Sequence, residues 1–322
     1  VNRADIAAGP ASAVAVAPEH EMPCRYIEPR GKAAGHAPKF KCSLFGSNEV
    51  VRVKYGSREV SAEVVATRLL WALGFFTDKY YPVKLKCYGC PEKDPFRPSA
   101  KEARVTRVFD DTIIEENFPG TEIGQFIDQG WSWRELDLIN PIAGGSSKAE
   151  VDALKLLAVL MQHTDSKRPQ QRLACLETDV YRTGTSIQCK RPVLMIQDLG
   201  ETFGIGSERI TEQSAMHFES WSRLEIWNFE MEAQYRKKQG KAVCIGKLTS
   251  AAFARKDGIS DPVISEEGRK FLADLLNKLS DKQIAELFRV GRAHLTGDSA
   301  SIADWVEAFK KKRRQIADRR CF

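Results

Sequence analysis

Met161-Gln162-His163-Thr164-Asp165-Ser166-Lys167-Arg168-Pro169-Gln170-Gln171 and its sequel, Met195-Ile196-Gln197-Asp198-Leu199-Gly200, decide how this chain is read. The first ends an apolar run, 151–161, and carries more polar groups than a core can hold. Val151, Leu154, Leu157, Ala158 and Met161 share one broad helical face. Leu156, Val159 and Leu160 make the run apolar nearly all round, as in a buried central helix. The second stretch follows a short apolar run, 193–196, that delivers one carboxylate into an Asp-Leu-Gly turn. Residues 173–176 and 193–196 read as strands around an irregular insertion flanked by Cys175 and Cys189. Two aspartates thus stand at the ends of rigid elements, a hairpin's length apart.

Toward the amino terminus, residues 1–22 are rich in Ala and Pro with few large apolar side chains, and are expected to form a flexible leader. Lys39-Phe40-Lys41-Cys42-Ser43-Leu44-Phe45 and Val51-Arg52-Val53-Lys54-Tyr55 largely alternate apolar and polar residues, and Gly46-Ser47-Asn48 between them predicts a hairpin. The loop before it, with Gly31 and Gly35, is placed to lie over phosphates but lacks Gly-x-Gly-x-x-Gly spacing. A helix is predicted over 59–73, stopped by Gly74, with Glu59 and Glu63 on one face. Segments 81–87 and 103–109 complete a small antiparallel sheet, and Phe118-Pro119-Gly120 marks a hinge. Trp131 and Trp133 flank a helix start at Ser132 and read as packing aromatics.

The remainder is helical. Ser265 caps one helix, and Ser280 with Gln283 forms a capping box for the next. A third, 302–316, ends in Lys310-Lys311-Lys312-Arg313-Arg314. That run complements the helix dipole and reads as a solvated end; the sharper reading is contact with anionic lipid or an acidic partner.

Paired aspartates of this kind suit phosphoryl transfer, one orienting a hydroxyl nucleophile while the other holds Mg²⁺ on the phosphates. In chain order, Lys54 on a strand, Glu63 on a helix, His163-x-Asp165-x-Lys167 and Asp198-Leu199-Gly200 resemble the protein-kinase-like superfamily over residues 30–205. The short segments and the Asp-Leu-Gly turn are similar to its atypical members, the HipA-like, lipid-kinase-like and secretory-pathway kinases. The resemblance implies an α+β, two-lobed kinase-like fold, with a small antiparallel-sheet N-lobe over 23–119 and a larger, mostly helical C-lobe over 120–322. It implies that Lys54 and Glu63 bind nucleotide, that Asp165 orients the attacking hydroxyl and that Lys167 sits near the transferred phosphoryl. Asp198 and Gln170 then hold the metal, and His163 supports the loop through hydrogen bonds. ATP with Mg²⁺ or Mn²⁺ is the implied cofactor set, and the acceptor is a protein or small molecule bearing a hydroxyl. Gln170 stands where the family has Asn; its arm is one methylene longer, and Mg²⁺ demands near-ideal octahedral geometry. The second reading is therefore a pseudokinase, a binding or scaffold subunit, with the leader as tether to a protein partner or membrane. A Ser-His-Asp hydrolase lacks support, because no Gly-x-Ser-x-Gly elbow is present.

At 322 residues the chain suffices for one large or two small domains. Its 43% hydrophobic and 29% charged residues are ordinary for a globular protein. No apolar run approaches the ~18 residues of a membrane-spanning helix. A net charge of +6 is too weak to argue for nucleic acid. Of eight cysteines only Cys87-Tyr88-Gly89-Cys90 holds a close pair, and the five histidines are dispersed, which weighs against zinc. Disulfides in an exported protein, periplasmic or extracellular, are the preferred reading; reduced, buried cysteines in a cytoplasmic protein are the alternative. The connectivity stays open, with Cys24–Cys42, Cys175–Cys189 and Cys244–Cys321 as candidate pairings.

Overall fold

The front of the molecule is built from strands β1 (Glu21–Ile27), β2 (Lys39–Leu44) and β3 (Val50–Tyr55), helix α1 (Arg58–Leu73), and strands β4 (Phe76–Thr77), β5 (Lys79–Pro91) and β6 (Arg104–Glu116). This computed structural model describes residues 1–12, 21–31, 35–123, 130–184 and 186–321. The turn expected at 46–48 forms, with Gly46 and Asn48 in the left-handed region, and sets Phe40 opposite Val53. β3 pairs with β6, and β6 with β5, all antiparallel. The sheet is not antiparallel throughout, however. β1 pairs antiparallel with β2 but parallel with β5, closing a barrel in the order β1-β2-β3-β6-β5. Alternation fixes which side chains point inward; it does not say which distant strand closes the ring. Phe40, Val53, Leu85 and Phe109 fill the barrel together with four cysteines.

Helix α1 ends where its sequence stops it: Gly74 takes φ 89° and its N–H caps the last turn, a conformation open to glycine at little cost. Its apolar residues pack into the back lobe, while Val60 and Val64 meet Tyr80 and Ile113 of the barrel.

The back lobe starts with β7 (Thr121–Glu122) and helix α2 (Lys148–Met161), followed by β8 (Gln171–Cys175), the hairpin β9 (Val180–Thr183) and β10 (Ser186–Cys189), and β11 (Pro192–Ile196). β8 and β11 pair antiparallel, as their apolar runs imply. β4 leaves the front lobe and adds to β11 in parallel, so a single sheet, β4-β11-β8-β7, spans the hinge. α3 (Phe218–Arg223), α4 (Phe229–Gln239), the strand pair β12 (Cys244–Ile245) and β13 (Val263–Ile264), α5 (Glu266–Asn277), α6 (Asp281–Val290) and α7 (Ile302–Ala317) complete the lobe. Ser147 with Glu150 caps α2, Ser280 with Gln283 caps α6, and Ser301 with Asp304 caps α7, each cap contributing about 1 kcal/mol. Trp221, Phe288, Trp305 and Phe309 pack ring on ring beneath α2.

Two expectations change here. The basic run is not simply a solvated end. Lys312 is buried over the Trp221 ring and donates to the Leu224 carbonyl, while Lys310 pairs with Asp281 and Arg313 donates to the Leu279 carbonyl. The expected leader is partly anchored: Ile6 is buried in the main core, Gln283 on α6 donates to the carbonyls of Val1 and Ala4, and Lys79 on β5 donates to that of Ala11. Residues 13–20 of that leader lie outside the described residues. Disulfides join Cys24 to Cys42, Cys175 to Cys189 and Cys244 to Cys321, leaving Cys87 and Cys90 as buried free thiols. No helix among the described residues is long and apolar enough to cross a membrane.

Candidate active site

Lys54 reaches the cleft from β3, where alternation turns its side chain toward α1. Its ammonium bonds Glu63, lies 3.5 Å from the Tyr80 hydroxyl and 3.8 Å from a Glu115 oxygen, and is only 6% exposed. Burial alone would lower the Lys54 pKa, but the carboxylates of Glu63, Asp198 and Glu115 more than reverse this and hold it above the ordinary value. The expected strand-to-helix pair therefore forms.

The opposite wall comes from the back lobe. Gln162 ends α2 in a left-handed turn (φ 56°), throwing residues 163–170 across the mouth of the lobe. Asp165 accepts from Lys167 Nζ at 2.8 and 2.6 Å and from Gln170 Nε2 at 3.1 Å. Burial raises the Asp165 pKa despite these donors. Asp198 accepts from the Gly200 N–H at 3.2 Å; burial pushes its pKa up, but Lys54, that N–H, Lys167 and His163 together hold it below the ordinary carboxylate value. Asp198 is thus the link between the two sides: it acts on Lys54 of the front lobe and on Asp165 and Lys167 of the back-lobe loop.

Some residues behave differently from expectation. His163 is fully buried against Trp133, and neither ring nitrogen has a hydrogen-bond partner among the described residues. Burial lowers its pKa to about 4, so it supports the loop by packing as a neutral ring, not through hydrogen bonds. Gln170 donates from its amide nitrogen to Asp165, a contact that leaves Oε1 as the atom with which it would meet a metal. Of the glycine-containing loop, residues 32–34 lie outside the described residues; Gly35 lies beside the Lys39 ammonium.

Sequence reasoning passed over Glu59, Glu201, Glu115 and Lys39. Glu59 and Glu201 share a hydrogen bond, and burial with the neighbouring carboxylates raises the Glu201 pKa to about 9 and that of Glu59 as well. Gly200 packs on Glu59 so closely that a Cβ there would come within 3.1 Å of the glutamate side chain, seating the Asp-Leu-Gly turn against α1. Burial and the nearby Lys54 lower the Lys39 pKa, while Asp198 opposes the shift, making Lys39 a second cation of the cleft. Glu59 was signalled by its i, i+4 relation to Glu63; the others read as solvated charges until the chain folds. Among the described residues, no three carboxylates of the cleft bring ligand oxygens within 4.8 Å of one another.

A lysine on a barrel strand is thus paired with the next helix, with the Asp198 carboxylate of the Asp-Leu-Gly turn close enough to act on it. No protein-family model matches the chain, and no curated protein matches it in sequence. Among solved structures the chain is similar to a Helicobacter pylori proinflammatory kinase, CtkA, with 13% identity over 93% of this chain and 96% of that one and a TM-score of 0.42. It is also similar to WaaP, solved in complex with acyl carrier protein, with 14% identity over 89% of each chain and a TM-score of 0.26.

Proposed function

We propose that the chain is an ATP- and Mg²⁺-dependent phosphotransferase that moves the γ-phosphoryl group to a hydroxyl acceptor. The observation that carries this is Lys54, a buried ammonium locked to Glu63 and coupled across the cleft to Asp198. Asp198 is held ionised and offers the hard oxygen that Mg²⁺ prefers. Asp198 would hold the Mg²⁺, which would supply positive charge against the negative charge developing on the transferred phosphoryl.

The chain's own residues do the rest. Lys54 and Lys39 present ammonium groups to phosphate oxygens. Asp165 takes the acceptor's hydroxyl proton, and its raised proton affinity suits it to that task. Lys167 fixes the Asp165 carboxylate and places positive charge beside the transferred group. Gln170 steadies Asp165 from the other side.

The pseudokinase reading draws on Gln170 itself, whose arm is one methylene longer than the Asn that the resemblance implies for the second metal ligand. A thermal-shift titration separates the two. Ligand at about 100 times its Kd should stabilise the native state by about 2.7 kcal/mol. A metal-dependent ATP shift with turnover lost in Asp165→Ala supports the enzyme. The same shift without turnover supports a nucleotide-binding scaffold, and no shift with Mg²⁺ or Mn²⁺ sinks the enzyme and leaves a scaffold that needs no nucleotide. Export is a separate proposal, motivated by disulfides suited to an oxidising compartment. Native protein carrying eight alkylatable thiols before any reductant is added would refute it.

A further inference from the structure

Helix α1 is buried on nearly every side from Ala62 to Leu70, so Arg68 in its last turns has no route to water. It lines instead a cavity of about 370 Å³, walled by the end of α1, the link from Gly74 to Lys79, Phe118 of the hinge, and Pro10 and Ala11 of the amino-terminal segment. Among the described residues, none of those proposed to act in phosphoryl transfer lines it. Its walls are largely aromatic: Trp71, Phe75, Phe76 and Phe118. Between them stand polar groups that the fold leaves unmatched. Arg68 is 2% exposed and packs on the Tyr81 ring at 5.3 Å, yet neither its Nε nor its Nη1 has a hydrogen-bond partner among the described residues. Asp78 is 1% exposed; its Oδ1 accepts from the Phe118 N–H at 2.6 Å, while its Oδ2 and the Thr77 Oγ1 have no partner there. Burying unmatched groups costs free energy, and native folds keep few of them. Burial lowers the Arg68 pKa to about 10, against the pull of Tyr81 and Asp5, so the guanidinium is still charged at neutral pH. Burial raises the Asp78 pKa to about 7, so near neutrality that carboxyl can accept or donate.

We propose that this cavity binds a small aromatic carboxylate that carries a hydroxyl at its far end. The carboxylate meets Arg68, whose planar guanidinium matches it in shape as well as in charge. The ring lies among Trp71, Phe75, Phe76 and Phe118, where face and edge contacts add to its burial. The hydroxyl meets Asp78 Oδ2 or Thr77 Oγ1. A single negative charge is specified, because the other cation of the wall, Lys79, is already held by Glu116 and the Ala11 carbonyl. A phosphate dianion would find one guanidinium and, among the described lining residues, no second uncommitted cation. The volume lies at the small end of ligand cavities, about 300–1,000 Å³, which suits one ring rather than several. Two lining residues also touch the cleft's lysine–glutamate pair: the Tyr80 hydroxyl lies 3.5 Å from Lys54 Nζ, and Thr67 donates to the Glu63 carbonyl at 2.6 Å. The site itself does not depend on phosphoryl transfer and serves an enzyme or a scaffold alike.

The test is a calorimetric and ligand-observed NMR titration of the full chain with 3-(4-hydroxyphenyl)propionate as probe. The expected result is about one site per chain with a Kd below about 1 mM. The methyl ester of the probe should bind at least about 10-fold more weakly, because it loses the charge-assisted bond, and 3-phenylpropionate, which lacks the hydroxyl, about 3-fold or more. Arg68→Met should weaken the acid to the level of the ester. Ala11→Trp, at an exposed position on the rim, should block entry, and it locates the site even if Arg68→Met fails to fold. Phe271→Ala, on the wall of the neighbouring apolar hollow beside Leu154, should leave binding unchanged. No binding at about 10 mM acid, or acid and ester binding alike to wild type, would overturn the proposal. So would unchanged affinity in Ala11→Trp or in folded Arg68→Met, or loss of binding in Phe271→Ala.

Discussion

The two walls of the cleft carry opposite charge arrangements. On the barrel side a cation, Lys54, sits among the carboxylates of Glu63 and Glu115. On the helical side a carboxylate, Asp165, is gripped by Lys167. The first pair is drawn from a strand and a helix and is almost dry. The second spans two residues of one loop, with the Lys167 side chain 35% exposed. Removing one partner of a buried pair strands a charge in low dielectric, whereas an exposed pair is largely replaced by water. The barrel pair should therefore hold both the fold and the function, and the loop pair the function alone.

Substitution tests that contrast directly. The largest effect on rate is expected at Asp198→Ala, with Mg²⁺-ATP turnover reduced at least about 10³-fold and thermal stability barely altered. Lys54→Met should abolish nucleotide-induced stabilisation and cost about 3–5 kcal/mol in denaturant unfolding. Adding Glu63→Leu should recover much of that stability without restoring turnover, and an equal loss in the double variant would refute the stranded-charge account. Lys167→Ala should slow turnover by about 10²-fold while moving stability by less than about 1 kcal/mol. A large stability loss there would erase the difference between the walls.

The smallest effect is in the pH profile. Glu201 titrates near 9 in the folded chain against an ordinary value of 4.5, so the folded state keeps a proton that the unfolded state has released. Its contribution is fully present below about 4.5 and is lost as pH rises toward 9. Melting temperatures measured across that window should fall less steeply in Glu201→Gln than in wild type. Parallel profiles would show that the Glu59–Glu201 pair shares no proton.

Much of the fold was legible because local rules and tertiary structure agree. The turn at Gly46-Ser47-Asn48, the Gly74 stop and the Ser-x-x-Gln box at Ser280 each do in space what their chemistry allows. Lys54, Glu63, Asp165 and Asp198 could be picked out because each lies on, or just past, a readable element. Barrel closure was not: nothing in residues 21–27 specifies parallel pairing with a strand some sixty positions later. Ile6 anchors an Ala-rich segment whose other ties run to backbone carbonyls, and neither a single buried side chain nor a carbonyl contact can be read from composition. Lys312 was readable in principle, since Trp305, Phe309, Lys312 and Ile316 fall on one helical stripe and that period predicts an inward side chain. Glu115, Glu201 and Lys39 acquire meaning only through neighbours distant in the chain.

The two-residue strand β4 has a mechanical consequence. Because Phe76 and Thr77 are registered with Met195 and Ile196, and Tyr80 donates to the Gln197 carbonyl at 3.2 Å, both halves are stitched just beside the turn that carries Asp198. Swinging the halves apart like a clam shell would have to unzip that seam.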